Sequence, residues 1–95
     1  MPLQNYVIHC CTRGCPREAE YKIASRWSDG ITGELKTYAL CCGECLPECL
    51  QQSRVKQAAC RLAAGESLDL PEVFRLKRGA RDRDLERVLE LESRL

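Results

Sequence analysis

The feature that most constrains this chain is its eight cysteines, which stand in two tight groups and one singleton over only 95 residues. Cys10, Cys11 and Cys15 form the first group, Cys41, Cys42, Cys45 and Cys49 the second, and Cys60 stands apart. A chain this short buries a small apolar core, and domains of this size often draw part of their stability from a disulfide or a metal. The redox compartment decides between the two. The stretch Met1 to Tyr6 has no basic start followed by an apolar run, so it does not read as a secretory leader, and no segment is long enough to span a bilayer. A cytoplasmic location is therefore expected. In a reducing compartment disulfides do not persist, and clustered cysteines point instead to metal ligation.

The residues between the two groups suggest how the groups meet. From Glu18 to Trp27, Ala19, Tyr21 and Ile23 alternate with Glu20 and Lys22, the period-two pattern of a half-buried strand. Ser28-Asp29-Gly30 is a turn signal, since Asp hydrogen-bonds its own turn backbone and Gly tolerates positive φ. From Glu34 to Leu40 the alternation resumes, with Leu35, Thr37 and Ala39 on one face and Lys36, Tyr38 and Leu40 on the other. Two such runs around a turn predict a β-hairpin, and its open end brings Cys15 beside Cys42.

Zinc takes four tetrahedral ligands, and structural sites commonly draw two from each of two tight turns. Cys42-Gly43-Glu44-Cys45 has the common two-residue spacing, with Gly43 expected to let the turn close. In the first group Cys15, preceded by Gly14, pairs with Cys10 or with Cys11; Cys10 is favoured and Cys11 is the alternative. The candidate metal ligands are thus Cys10, Cys15, Cys42 and Cys45, the expected cofactor is zinc, and the metal would be structural.

C-x3-G-C, a hairpin, then C-x2-C leading into a helix resembles the treble-clef and zinc-ribbon group of small zinc modules, small bacterial proteins among them. The resemblance covers residues 10 to about 60, and the insert from residue 16 to residue 41 is longer than in the common short-spaced forms. It implies a metal site and no activity.

Four cysteines remain. A second zinc held by Cys11, Cys41, Cys49 and His9 is the less favoured reading, because neighbouring residues on an extended chain point to opposite sides. His9, the one histidine, reads as an exposed imidazole beside the first turn, and Cys60 as an ordinary helix residue. Pro47 suits the first turn of a helix, and Leu50, Val55, Ala58, Ala59 and Leu62 recur at helical spacing up to Gly65, predicting a helix over 47 to 64. Val73 to Leu76 reads as a short third strand. Asp82 or Asp84 would cap a C-terminal helix with an apolar stripe of Leu85, Val88, Leu89, Leu91 and Leu95. The expected architecture is α+β, a zinc-stabilised hairpin and helix over 1 to 65, with a third strand and a C-terminal helix over 66 to 95 packed on it as one domain.

Function is less constrained. Fifteen basic and fourteen acidic residues give a net charge of +1, which leaves no strong footprint for nucleic acid or an anionic membrane. The leading expectation is a binding or adaptor module whose partner is a protein. Nucleic-acid binding is the alternative, through Arg75, Lys77, Arg78, Arg81, Arg83 and Arg87 with Arg26 and Trp27 at the hairpin, although Asp82, Asp84, Glu86 and Glu90 interleave with them. A thiol redox role for Cys42 and Cys45, at a helix N-terminus, ranks third. No metalloprotease, deaminase, phosphate-loop, hydrolase or kinase motif is present, so an enzyme is not expected.

Overall fold

The computed structural model describes residues 8–76 and 86–88. In chain order the elements are strands β1 (Tyr21–Ser28) and β2 (Gly33–Cys41), helix α1 (Leu46–Ala59), and strands β3 (Ser67–Leu68), β4 (Glu72–Arg75) and β5 (Glu86–Arg87). The architecture is the expected α+β mix of a hairpin sheet and one helix with extra strands. β1 lies at the centre: β2 pairs antiparallel along one edge, while β3 and then β4 pair antiparallel along the other. β3, β4 and β5 therefore extend the same sheet that the hairpin begins. Among the described residues no helix is long and apolar enough to cross a membrane.

The hairpin forms where its sequence calls for it. At the turn, Asp29 Oδ1 accepts from the backbone N–H groups of Ile31 at 2.8 Å and Thr32 at 2.6 Å, and Gly30 sits at φ +91°, where an L side chain would be strained. Pairing then runs from Ser28↔Gly33 back to Tyr21↔Cys41, so the strand ends that carry the cysteines come together. The alternation is broken once. Ile23 faces Ala39 but Ala24 faces Thr37, which leaves Tyr38 as an extra residue on β2, a β-bulge. Its hydroxyl is buried without a hydrogen-bond partner.

Helix α1 packs on β1 and β2. Pro47 begins it, as its fixed φ and missing N–H allow. Its buried face is Leu46, Cys49, Leu50 and Ser53, an i, i+3, i+4, i+7 stripe. That differs from the sequence expectation, since Val55 is 64% exposed, Leu62 43% exposed, and Ala58 and Ala59 are exposed as well. The helix also stops five residues short of the expected end: Cys60 turns extended at φ −69°, ψ 130°. Gly65, expected as the stop, instead takes φ +87° in a separate turn closed by the Glu66 N–H donating to the Ala63 carbonyl. Gln57 Nε2 donates to the Leu68 carbonyl at 3.0 Å and holds the helix end against β3.

The core is small and rich in sulfur. Cys10, Cys41, Cys42 and Cys49 share it with Ile23, Ala39, Leu46, Leu50 and Val73, and Cys15, Tyr21, Tyr38 and Cys45 pack at its margin. Among the described residues this core holds few large aliphatic side chains, which limits the hydrophobic stabilisation they supply. On the far side of β1, Glu72 is buried and bridges three strands. Arg26 Nε donates to both carboxylate oxygens, at 3.1 and 3.2 Å, and Arg87 Nη1 lies 3.7 Å from Oε2.

The C-terminal helix expected from about residue 84 is not supported. Glu86 and Arg87 form β5, paired with Arg75 and Phe74, and the Val88 N–H donates to the Val73 carbonyl at 2.8 Å. β4 presents an outer row of backbone groups, and an extended segment satisfies them where a helix cannot. The rest of that stripe, Leu85, Leu89, Leu91 and Leu95, and the caps Asp82 and Asp84, lie outside the described residues.

Candidate metal centre

Two short backbone turns build the site at the open end of the hairpin. The first is tied at its base by paired backbone groups: the Ala19 N–H donates to Ile8 at 2.6 Å and the Cys10 N–H to Arg17 at 2.9 Å. Within it the Cys15 N–H donates to the Thr12 carbonyl at 3.0 Å, and Gly14 adopts φ +84°, the left-handed conformation that explains glycine there. Two further bonds, from the Cys11 N–H to Leu40 at 2.8 Å and from the Glu20 N–H to Cys41 at 2.8 Å, dock this turn on the end of β2. The second turn leads from β2 into α1, with Cys45 as the residue before the helix. Gly43 does not take positive φ, and a methyl group there would meet Tyr21 Cε2 at an ordinary 3.6 Å, so the turn closes without needing a glycine.

These turns bring Cys10, Cys15, Cys42 and Cys45 together, with all four sulfurs within 4.8 Å of one another. Cys15 Sγ and Cys42 Sγ stand 3.8 Å apart. Four thiolates at the usual Zn–S length of about 2.3 Å in a tetrahedron have sulfurs about 3.8 Å apart, so the cluster is close to the dimensions a metal ion requires. Cys10 and Cys42 are buried, and Cys15 and Cys45 half-buried. The choice between Cys10 and Cys11 falls on Cys10, because adjacent residues point to opposite sides: Cys10 turns inward and Cys11 is exposed. The same alternation splits Cys42 from Cys41.

The electrostatics suit thiolates. Burial pushes the Cys10 thiol up, but backbone N–H groups of Cys42 and Thr12, with the Thr12 hydroxyl and Cys45, outweigh it and bring the pKa down to about 6. Cys42 behaves alike: burial raises it, while the N–H groups of Cys45 and Glu44 and the neighbouring thiols lower it below the ordinary thiol value. The Arg17 N–H favours the Cys15 thiolate, but burial and the Cys42 and Cys10 thiols raise it on balance. Cys45 is favoured by the Thr12 hydroxyl yet pushed up to about 12 by the Cys42 thiol, burial and the other two cysteines. Four like charges at this separation need a cation before all can ionise together.

Several contributors escaped the sequence reading. Thr12 Oγ1 lies 3.5 Å from Cys49 Sγ while also facing Cys10 and Cys45, so one hydroxyl links the cluster to the helix. Arg17 Nη1 meets Glu44 Oε2 at 2.7 Å and ties the two turns across the surface. Cys11, Cys41 and Cys49 do not form a second cluster of metal-binding dimensions among the described residues, and His9 is exposed, outside the group of four. Cys60 ends the helix and lies 3.5 Å from Lys36 Nζ. Comparison of the chain with protein-family models, with curated proteins and with solved structures finds no match to any of them.

Proposed function

We propose that the chain is a structural zinc-binding module of the treble-clef type that serves as a binding or adaptor protein. The observation that carries this reading is the convergence of four sulfurs within 4.8 Å from two turns, one before the hairpin and one opening into a helix. Four thiolates fill a tetrahedral shell and leave no open position for a substrate or an activated water, which favours a metal that folds the chain over one that performs chemistry. An all-sulfur set suits zinc; iron is the other metal that tetrahedral sulfur commonly holds. Binding free energy on the order of 10 kcal/mol would rival the stability of a whole domain of this size.

Nucleic-acid binding is the second reading, and the neighbourhood of its basic residues weighs against it. Arg26 and Arg87 both face the buried Glu72, and the Arg75 guanidinium lies 5.7 Å from the Tyr21 ring centre. Elemental analysis of protein purified under reducing conditions tests the zinc reading, with one zinc per chain expected. Cys15→Ser, Cys42→Ser and Cys45→Ser should each lose the metal and the fold, whereas Cys60→Ser should keep both. Iron in place of zinc, or no stoichiometric metal in a folded protein, refutes the reading.

A further inference from the structure

Three cysteines outside the metal cluster lie together. The Cys11 N–H donates to the carbonyl of Leu40, the neighbour of Cys41, and Thr12 Oγ1, next to Cys11 in the chain, lies 3.5 Å from Cys49 Sγ in the first turn of α1. Cys41 is wholly buried at the end of β2, whereas Cys11 is exposed. Cys11 and Cys49 also line one cavity of about 470 Å³, bounded by Thr12, Arg13, Tyr38 and Glu48 among others, so a small reagent that reaches Cys11 arrives beside Cys49. The four cluster thiols would be shielded by their metal, and Cys60 sits at the far end of the helix with Lys36 beside it.

We propose that Cys11 and Cys49 are an oxidation site, a thiol pair that a hydroperoxide converts into an intramolecular disulfide while the four-cysteine cluster stays intact. Cys11 is the residue attacked first, because it is the exposed member. Its thiolate sulfur takes the terminal oxygen of the hydroperoxide, the O–O bond breaks, and the co-product leaves as an alcohol, or as water from hydrogen peroxide. Cys49 then gives up its proton and its sulfur attacks the Cys11 sulfenic acid, the S–O bond breaks, and the hydroxide departs with that proton as water. Two thiols and one hydroperoxide thus become a disulfide, an alcohol and water, with two electrons passing to the peroxide. Cys41 stays reduced behind Cys49. The new bond ties the turn carrying Cys10 and Cys15 to the helix whose N-terminus carries Cys45, so the oxidised form is expected to surrender its metal to a chelator more slowly.

The test is stoichiometric hydrogen peroxide added to the full-length, reduced, metal-loaded protein, with zinc measured before and after and the disulfide located by peptide mapping. Zinc content before oxidation reports on the metal reading by itself. The expected result is a loss of two hydrogen masses, a Cys11–Cys49 linked peptide and unchanged zinc. Cys11→Ser should give no intramolecular disulfide, and Cys49→Ser should leave a sulfenic acid at Cys11 that a carbon-acid trapping reagent captures; if Cys49→Ser does not fold, Cys11→Ser alone decides. Disulfides among Cys10, Cys15, Cys42 and Cys45 with zinc released, a Cys41 linkage, or a disulfide that persists in Cys11→Ser overturns the proposal.

Discussion

Cys15 Sγ and Cys42 Sγ lie 3.8 Å apart, although one belongs to the turn before β1 and the other to the turn after β2. That separation depends on β1 and β2 being paired in the register that places Tyr21 opposite Cys41. A slip of one residue would turn Cys42 to the other face of the chain and break the group of four. The hairpin sets the site, and a bound metal would in turn lock the hairpin.

The helix provides a first test of how the small core is built. Leu50 is fully buried, so Leu50→Ala should destabilise the domain by about 2–5 kcal/mol. Val55 is 64% exposed, and Val55→Ala should change stability by no more than about 0.5 kcal/mol. Chemical denaturation of the metal-loaded protein measures both, and equal losses would mean that the helix is rotated from the face described.

Ser25 makes the opposite prediction, a gain. Its side chain is fully buried at the centre of β1 and its hydroxyl has no hydrogen-bond partner. Removing an unsatisfied buried hydroxyl relieves its desolvation cost, so Ser25→Ala should raise stability by up to about 1 kcal/mol. A clear loss in thermal unfolding would show that the hydroxyl has a partner after all.

The hairpin and the cysteine pairs were legible in the sequence because their signals are local: two-residue alternation, an Asp-Gly turn, and ligands a few residues apart. The helix face was not, since its buried stripe is completed by Cys49 and Ser53 rather than by the aliphatic Val55 and the alanines that periodicity picked out. Ser53 is accommodated by donating to the Cys49 carbonyl at 2.7 Å, a bond inside its own helix that no hydropathy pattern records. Glu86 and Arg87 sit in a sequence with helical spacing but pair with β4, and only the fold reveals that open edge. The bulge at Tyr38 likewise arises from the pairing of two strands and leaves no mark in either one alone.

Acid should release the metal, and the sign follows from the thiols. The folded-state pKa of Cys10, about 6, lies below the free value of 9.0, and that of Cys42 is lowered as well. A thiol with a lowered folded pKa contributes stability that is fully present above the free value and is lost as pH falls through the folded one. Cys15 and Cys45 are raised instead, so a metal must displace their protons, and acidification, which adds proton competition at all four thiols, should release it. A colorimetric chelator titrated downward in pH follows this, and release that begins on raising the pH would contradict it.

Zinc K-edge X-ray absorption on the purified protein bears most directly on the closed four-cysteine centre. The account predicts a first shell of four sulfurs at about 2.3 Å and no lighter ligand. A shell containing nitrogen or oxygen, from His9 or from water in an open position, would contradict it, as would the absence of bound zinc from a folded chain.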